Sequence, residues 1–216
     1  GYYYAGLDAQ TAAVTAALLD KLAAAGIELV EVEVPGLADL LAASSFPIAL
    51  YEVNRDLSAY LAEFQTGESV GTLADRIASP DVKGVFSAIL GDGAVPPEAY
   101  EAGIDAREQL RQVFTTLFAE LELHALVFPT TPLPARPIEG SIQTVELNGQ
   151  QVPTFPTYIR NTDPASIAAL PSISLPAGST DDGLPIGIEL DGPEGSDAEL
   201  LAIAQRVEEI IGAHSE

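Results

Sequence analysis

Two histidines, His124 and His214, are the only side chains of this sequence that ordinarily titrate near neutrality, and there is no cysteine. A Ser-His-Asp relay would need one of the two. His124 follows a long helical pattern, where an imidazolium meets the negative end of the helix dipole, and this is a structural role. His214 is the third residue from the C-terminus, in a tail expected to fray. No Gly-x-Ser-x-Gly elbow exists to expose a serine. Without thiols, a disulfide framework, a thiolate metal site and a cysteine nucleophile are all excluded. Serine activated by lysine needs no histidine. The one serine pair, Ser44-Ser45, reads as part of a helix start with no glycine to open the backbone around it. The only lysines, Lys21 and Lys83, lie outside any glycine-rich loop, which removes a phosphate cradle. Paired carboxylates such as Glu31 and Glu33, or Glu208 and Glu209, fall on alternating strand or polar helix faces and read as solvated.

The 216 residues suffice for one hydrophobic core and predict a single domain segment over 1–216. With 32 acids against nine bases the net charge is −23, which repels phosphate backbones and anionic lipid, so neither nucleic acid nor a membrane is an expected partner. Hydrophobic residues make up 47% of the chain, yet no apolar run approaches the length of a membrane span. The sequence opens on Gly1-Tyr2-Tyr3-Tyr4 without a methionine or a signal-like segment, which reads as a piece cut from a longer translation product, or cloned that way.

Elements that could position chemistry follow from periodicity. Asp8, the apolar series Ala12, Leu18, Leu19 and Leu22, and then Gly26 spell an N-cap, an amphipathic helix and a stop. Residues 27–34 alternate Ile-Glu-Leu-Val-Glu-Val-Glu-Val, predicting a strand with one buried face, ended by Pro35-Gly36. Residues 37–123 form a helical excursion, broken at Gly67, at Ser79-Pro80-Asp81 and over 91–97, with the last helix starting near Pro96 or Pro97. A short buried strand, Ala125-Leu126-Val127-Phe128, leads into Pro129-Thr130-Thr131-Pro132, where Thr130 and Thr131 read as turn and backbone ligands. Asn148-Gly149 between two apolar pairs predicts a hairpin. Ser172-Ile173-Ser174-Leu175 and residues 185–190 predict two more strands. A final helix, capped by Ser196 or Asp197, should bury Leu200, Leu201, Ala204, Val207, Ile210 and Ile211.

Several stretches in this order resemble the C-terminal part of the amidase signature family, in the branch of mandelamide and indoleacetamide hydrolases. They are Leu22-Ala23-Ala24-Ala25-Gly26-Ile27-Glu28-Leu29-Val30-Glu31-Val32, Ala125-Leu126-Val127-Phe128-Pro129-Thr130-Thr131-Pro132, Arg160-Asn161-Thr162-Asp163-Pro164, Leu170-Pro171-Ser172-Ile173-Ser174-Leu175-Pro176-Ala177-Gly178 and Gly183-Leu184-Pro185-Ile186-Gly187-Ile188. The resemblance implies an α/β fold, a mixed β-sheet covered by helices with a helical insertion over 37–123. It implies hydrolysis of a small aromatic or apolar carboxamide, in the cytoplasm and without a cofactor. A Ser-cisSer-Lys triad would lie on a preceding segment, so this chain has no catalytic residue of its own and its expected partner is an N-terminal amidase fragment in a tight heterodimer. The substrate-binding stretch it implies contains Thr157, Tyr158, Asn161 and Thr162. Plain loop structure is the alternative for these four, with Asn161 or Thr162 capping the short helix that follows. Two rival functions stay open: the glutamine-cleaving subunit of a tRNA-dependent amidotransferase, and a binding or regulatory module derived from the same fold.

Overall fold

The computed structural model describes residues 1–212, so His214 lies outside the described residues. It divides into two compact units, one of residues 1–37 and 110–216, the other Ala38–Gln109.

In the first unit, α1 (Ala9–Ala24) starts where the Asp8 carboxylate accepts from the Gln10 and Thr11 amides at 3.0 and 3.4 Å, and ends before Gly26 at φ +87°. Three strands, β1 (Leu126–Pro129), β4 (Ser172–Ser179) and β5 (Pro185–Asp191), form a sheet in the order β1-β5-β4. Both of its pairings are antiparallel. β2 (Thr144–Leu147) and β3 (Gln150–Pro153) make the expected hairpin, with Asn148 and Gly149 both at positive φ, 52° and 80°. Two short helices, α6 (Thr154–Ile159) and α7 (Asp163–Ala168), return the chain to β4, and α8 (Asp197–Gly212) closes the unit.

The period-2 pattern of β5 decides where the core sits. Ile188 and Leu190, with Leu175 of β4, face Leu18 and Leu22 of α1 and Leu200, Ala204, Val207 and Ile210 of α8. Leu201, expected on that face, is 59% exposed, because four core positions already complete the helix stripe. On the opposite sheet face Gly187 is required by its neighbours. A Cβ there would stand 2.8 Å from Thr130 Oγ1 and 2.9 Å from Ser174 Oγ, two hydroxyls that hydrogen-bond each other at 2.6 Å. Gly187→Ala is expected to destabilise the unit by about 1–3 kcal/mol. Equilibrium urea unfolding checks this, and an unchanged midpoint would contradict the packing.

The clearest departure from the sequence reading is residues 27–34, which join no strand ladder. Leu29 and Val30 are 39% and 53% exposed. Alternation specifies which side chains want burial, but a strand also needs a hydrogen-bonding neighbour.

The second unit is the expected helical excursion, with α2 (Leu37–Glu63), α3 (Val70–Arg76), α4 (Pro80–Ile89) and α5 (Pro97–Glu120), of which the ends of α2 and α5 belong to the first unit. The breaks fall at the predicted glycine and proline positions. Ser44 and Ser45 lie inside α2 rather than at its start, both buried, with the Ser44 hydroxyl donating to Leu40 O at 2.6 Å. The reason is Gly36, whose φ of +70° turns the chain so that Leu37 begins the helix. Pro47 within α2 removes one donor from the helix, which leaves the Ala43 carbonyl without its i+4 partner. Gly103 of α5 packs there: a Cβ would lie 3.3 Å from Ala43 O and 3.2 Å from Ile48 Cγ1.

Candidate functional site

β1 ends on Pro129, and the loop after it is where the first unit gathers its polar groups. The Thr130 amide donates to Gly187 O at 3.0 Å and the Thr131 hydroxyl to Leu133 O at 2.9 Å, the turn and backbone roles read from the sequence. The Asp8 amide donates to Pro132 O at 2.8 Å, and the Asp8 carboxylate meets Arg136 at 3.1 Å, so the start of α1 is tied to the same loop.

Asn161 holds this loop from the other side. It is fully buried, and its Nδ2 donates to Tyr3 O at 3.0 Å and Pro129 O at 2.6 Å, while its Oδ1 accepts from Arg160 Nε at 3.1 Å. Three segments far apart in sequence therefore converge on one amide. Tyr158 is half-buried beside Leu133, Val145 and Leu147, with its hydroxyl donating to Pro134 O at 2.8 Å. Burial raises its pKa, with Arg136 pulling the other way. The Thr157 hydroxyl donates to Pro153 O at 2.6 Å and that of Thr162 to Ile159 O at 3.2 Å. Thr162 occupies the N-cap position of α7 without a side-chain capping bond. The four residues thus lie along α6 and the start of α7. Thr157, Tyr158 and Thr162 keep some surface, whereas Asn161 has none.

The face of the sheet away from α1 and α8 carries groups that the sequence reading did not single out. Register places Leu126, Asp191 and Ser172 in one row and Phe128, Glu189 and Ser174 in the next. Tyr3 stacks on Phe128 with ring centroids 3.9 Å apart. Glu189 is 4% exposed and Asp191 not at all, and neither Asp191 oxygen nor the Tyr3 hydroxyl has a hydrogen-bond partner of normal geometry. Burial, and then the neighbouring Asp191 charge, push the Glu189 carboxyl up to about 8. Burial pushes Asp191 up to about 7, against a downward pull from the Ser172 hydroxyl. Both acids are held protonated at mildly acid pH. The Gly-Ile-Glu-Leu-Asp alternation within β5 was the available signal, since it puts the two acids on one face, but 32 acidic residues hid two unusual ones.

His124 is exposed, in the turn after α5 rather than within a helix end. Lys83 donates to Asp75 O at 3.1 Å, and Lys21 is exposed near the end of α1. Among the described residues no group of three or more histidines and carboxylates could hold a metal ion, and no helix is long and apolar enough to cross a membrane.

The sequence profile of the amidase family matches residues 1–201. The chain belongs to the amidase family. This amidase chain is 40% identical over 215 residues to the indoleacetamide hydrolase of Agrobacterium vitis, covering 99% of the chain and 46% of that protein. It is 38% identical over 208 residues to the mandelamide hydrolase of Pseudomonas putida, covering 90% of the chain and 39% of that protein. A crystal structure of an amidase superimposes with a TM-score of 0.72 at 26% identity, covering 94% of the chain and 42% of that structure. The amidase chain therefore spans less than half the length of these relatives. The resemblance read from its motifs stands, as do the α/β class and the helical insertion.

Proposed function

We propose that this amidase chain forms the C-terminal half of a hydrolase that converts a small aromatic or apolar carboxamide to a carboxylate and ammonia. The Ser-cisSer-Lys triad comes from an N-terminal amidase segment. The observation that carries this reading is the similarity over 99% of the chain to an indoleacetamide hydrolase, of which it covers 46%. In the proposed reaction the lysine-held cis serine takes the proton of the nucleophilic serine, which attacks the amide carbon. Backbone N–H groups hold the oxyanion, ammonia leaves, and water clears the acyl-enzyme.

The part given to this half is the wall of the acyl pocket. Thr157, Tyr158 and Thr162 present partly exposed surface along α6 and the start of α7. Asn161 positions that stretch against Tyr3 and Pro129. Tyr158 supplies an aromatic ring against an apolar cluster, a surface suited to an aromatic acyl group.

The substrate class is tested by kcat/KM of the reconstituted two-segment amidase on indole-3-acetamide, mandelamide, acetamide and glutamine. A preference of about tenfold or more for the aromatic amides is expected, in line with what an apolar pocket contributes. A preference for glutamine would overturn the reading in favour of an amidotransferase subunit. Tyr158→Ala is expected to reduce the aromatic-to-aliphatic ratio several-fold, by roughly 1 kcal/mol or more. An unchanged ratio would remove α6 from the pocket.

A further inference from the structure

Three large apolar side chains of the first unit stand in solvent, Ile138, Ile142 and Phe155, at 87%, 53% and 58% exposure. Exposed apolar residues scattered singly need no explanation. Ile142 and Phe155 are not scattered. Thr154, the first residue of α6, donates from its amide to Gln143 O at 3.0 Å and from its hydroxyl to Ser141 O at 2.7 Å. The two bonds bracket Ile142, so its backbone is pinned beside the start of α6, where Phe155 follows Thr154. The Ser141 amide donates in turn to Ile138 O at 3.3 Å, which folds Ile138 into the same turn. Residues 138–142 and α6 thus make one apolar lip.

Phe155 also stands three positions before Tyr158, a spacing that makes neighbours on a helix surface. The two rings are used differently. Tyr158 packs against the cluster of Leu133, Val145 and Leu147, and its hydroxyl is committed to Pro134 O at 2.8 Å. That ring is fixed as backing for α6. Phe155 carries no polar atom to commit, and more than half of its surface faces solvent. A ring presented in this way offers an apolar face for offset stacking or edge-to-face contact with another ring.

We propose that Phe155, with Ile142 at its side, is the residue that sets acyl specificity, stacking on the aromatic ring of the carboxamide while Tyr158 holds α6 in place behind it. The proposal rests on the reading of α6 as a wall of the acyl pocket. The ligand class follows from the chemistry of the lip. The side chains of Ile138, Ile142 and Phe155 bring neither charge nor a hydrogen-bonding group, so the lip discriminates by apolar area and ring geometry alone. An aryl or indolyl acyl group gains contact there, and an acetyl group brings no ring to stack. The charged amino-acid end of glutamine would give up water without finding a partner.

The test is steady-state kinetics of the reconstituted two-segment amidase on indole-3-acetamide and acetamide, with Phe155→Ala, Phe155→Leu and Phe155→Tyr. For Phe155→Ala and Phe155→Leu the ratio of kcat/KM, indole-3-acetamide over acetamide, is expected to fall about tenfold. The fall is expected in KM for the aromatic amide, because a contact made equally in the ground and transition states leaves kcat in place. Phe155→Tyr keeps the ring and is expected to hold the ratio within about twofold of the parent. Ile142→Ala is expected to lower it about threefold, as the smaller apolar contact. A parent that prefers the aromatic amide, with the same ratio in Phe155→Ala and Phe155→Leu, would overturn the proposal and leave the carboxamide reading standing. An equal loss of kcat on both amides would also overturn it, since that marks a structural role. A parent without aromatic preference would overturn the substrate reading and this proposal together.

Discussion

Asn161→Ala is expected to lower the stability of the sheet unit by about 3–5 kcal/mol, more than any other side-chain truncation along α6 and α7. The amide is fully buried, and its two Nδ2 bonds satisfy Tyr3 O and Pro129 O. Alanine leaves both carbonyls without that donor in a site closed to water, each at about 1–3 kcal/mol, and opens a small cavity besides. Asn161→Asp tests the cause. It keeps the volume, but both of its oxygens are acceptors, so two carbonyls would face a carboxylate, and a loss at least as large is expected at neutral pH. Urea unfolding followed by far-ultraviolet circular dichroism measures both variants. A loss below about 1 kcal/mol for Asn161→Ala would show that the loop is held elsewhere.

A second large effect is expected from pH. Glu189 and Asp191 keep their protons in the folded chain up to about 8 and about 7, against ordinary values of 4.5 and 3.8. Between those limits the unfolded chain has released protons that the folded chain retains, so stability falls as pH rises. The contribution is whole below about pH 4 and is lost once pH passes about 8. For Asp191, which is fully buried, the loss is on the order of 4 kcal/mol. Acids held by cations, such as Glu194 with Arg111, act in the opposite sense at low pH, so the informative quantity is the difference between variants rather than the raw slope. Asp191→Asn is expected to unfold at higher urea than the parent at pH 8.5 and by a clearly smaller margin at pH 5. Equal differences at the two pH values would mean that the carboxyl titrates normally.

These two predictions come from residues of unequal visibility in the sequence. Asn161 stands in a recognisable motif, Arg160-Asn161-Thr162-Asp163-Pro164, whose sequence alone fits either a pocket residue or a helix cap. In the structure its amide holds Tyr3 and Pro129, partners 158 and 32 positions away that no local pattern names. Glu189 and Asp191 were legible as alternating residues of a strand. Their burial depends on Tyr3 and Phe128 lying over the same face, a tertiary fact.

The local elements were the most legible part. Asp8 and Gly26 bracket α1, Asn148-Gly149 makes the hairpin, and the breaks at Gly67, Pro80 and 91–97 divide the helical unit, because caps, turns and prolines act within a few residues. Residues 27–34 mark the limit of such reading. Their alternation is that of a strand, and among the described residues they pair with nothing. Leu201 and the serine pair Ser44-Ser45 show smaller versions of the same limit. In each case the side-chain pattern was correct for an element, but the environment was set by chain distant in sequence.

In the proposed function the wall of the acyl pocket is on this chain and the reacting serines and lysine are on another segment. The direct measurement is ammonia release from indole-3-acetamide by residues 1–216, confirmed by intact mass as a single species, alone and after refolding with the N-terminal half of the amidase. No release above buffer is expected from the chain alone, and turnover at an ordinary enzymatic rate, about 1 s⁻¹ or more, from the pair. Turnover at that rate by the single, mass-verified chain would contradict the account.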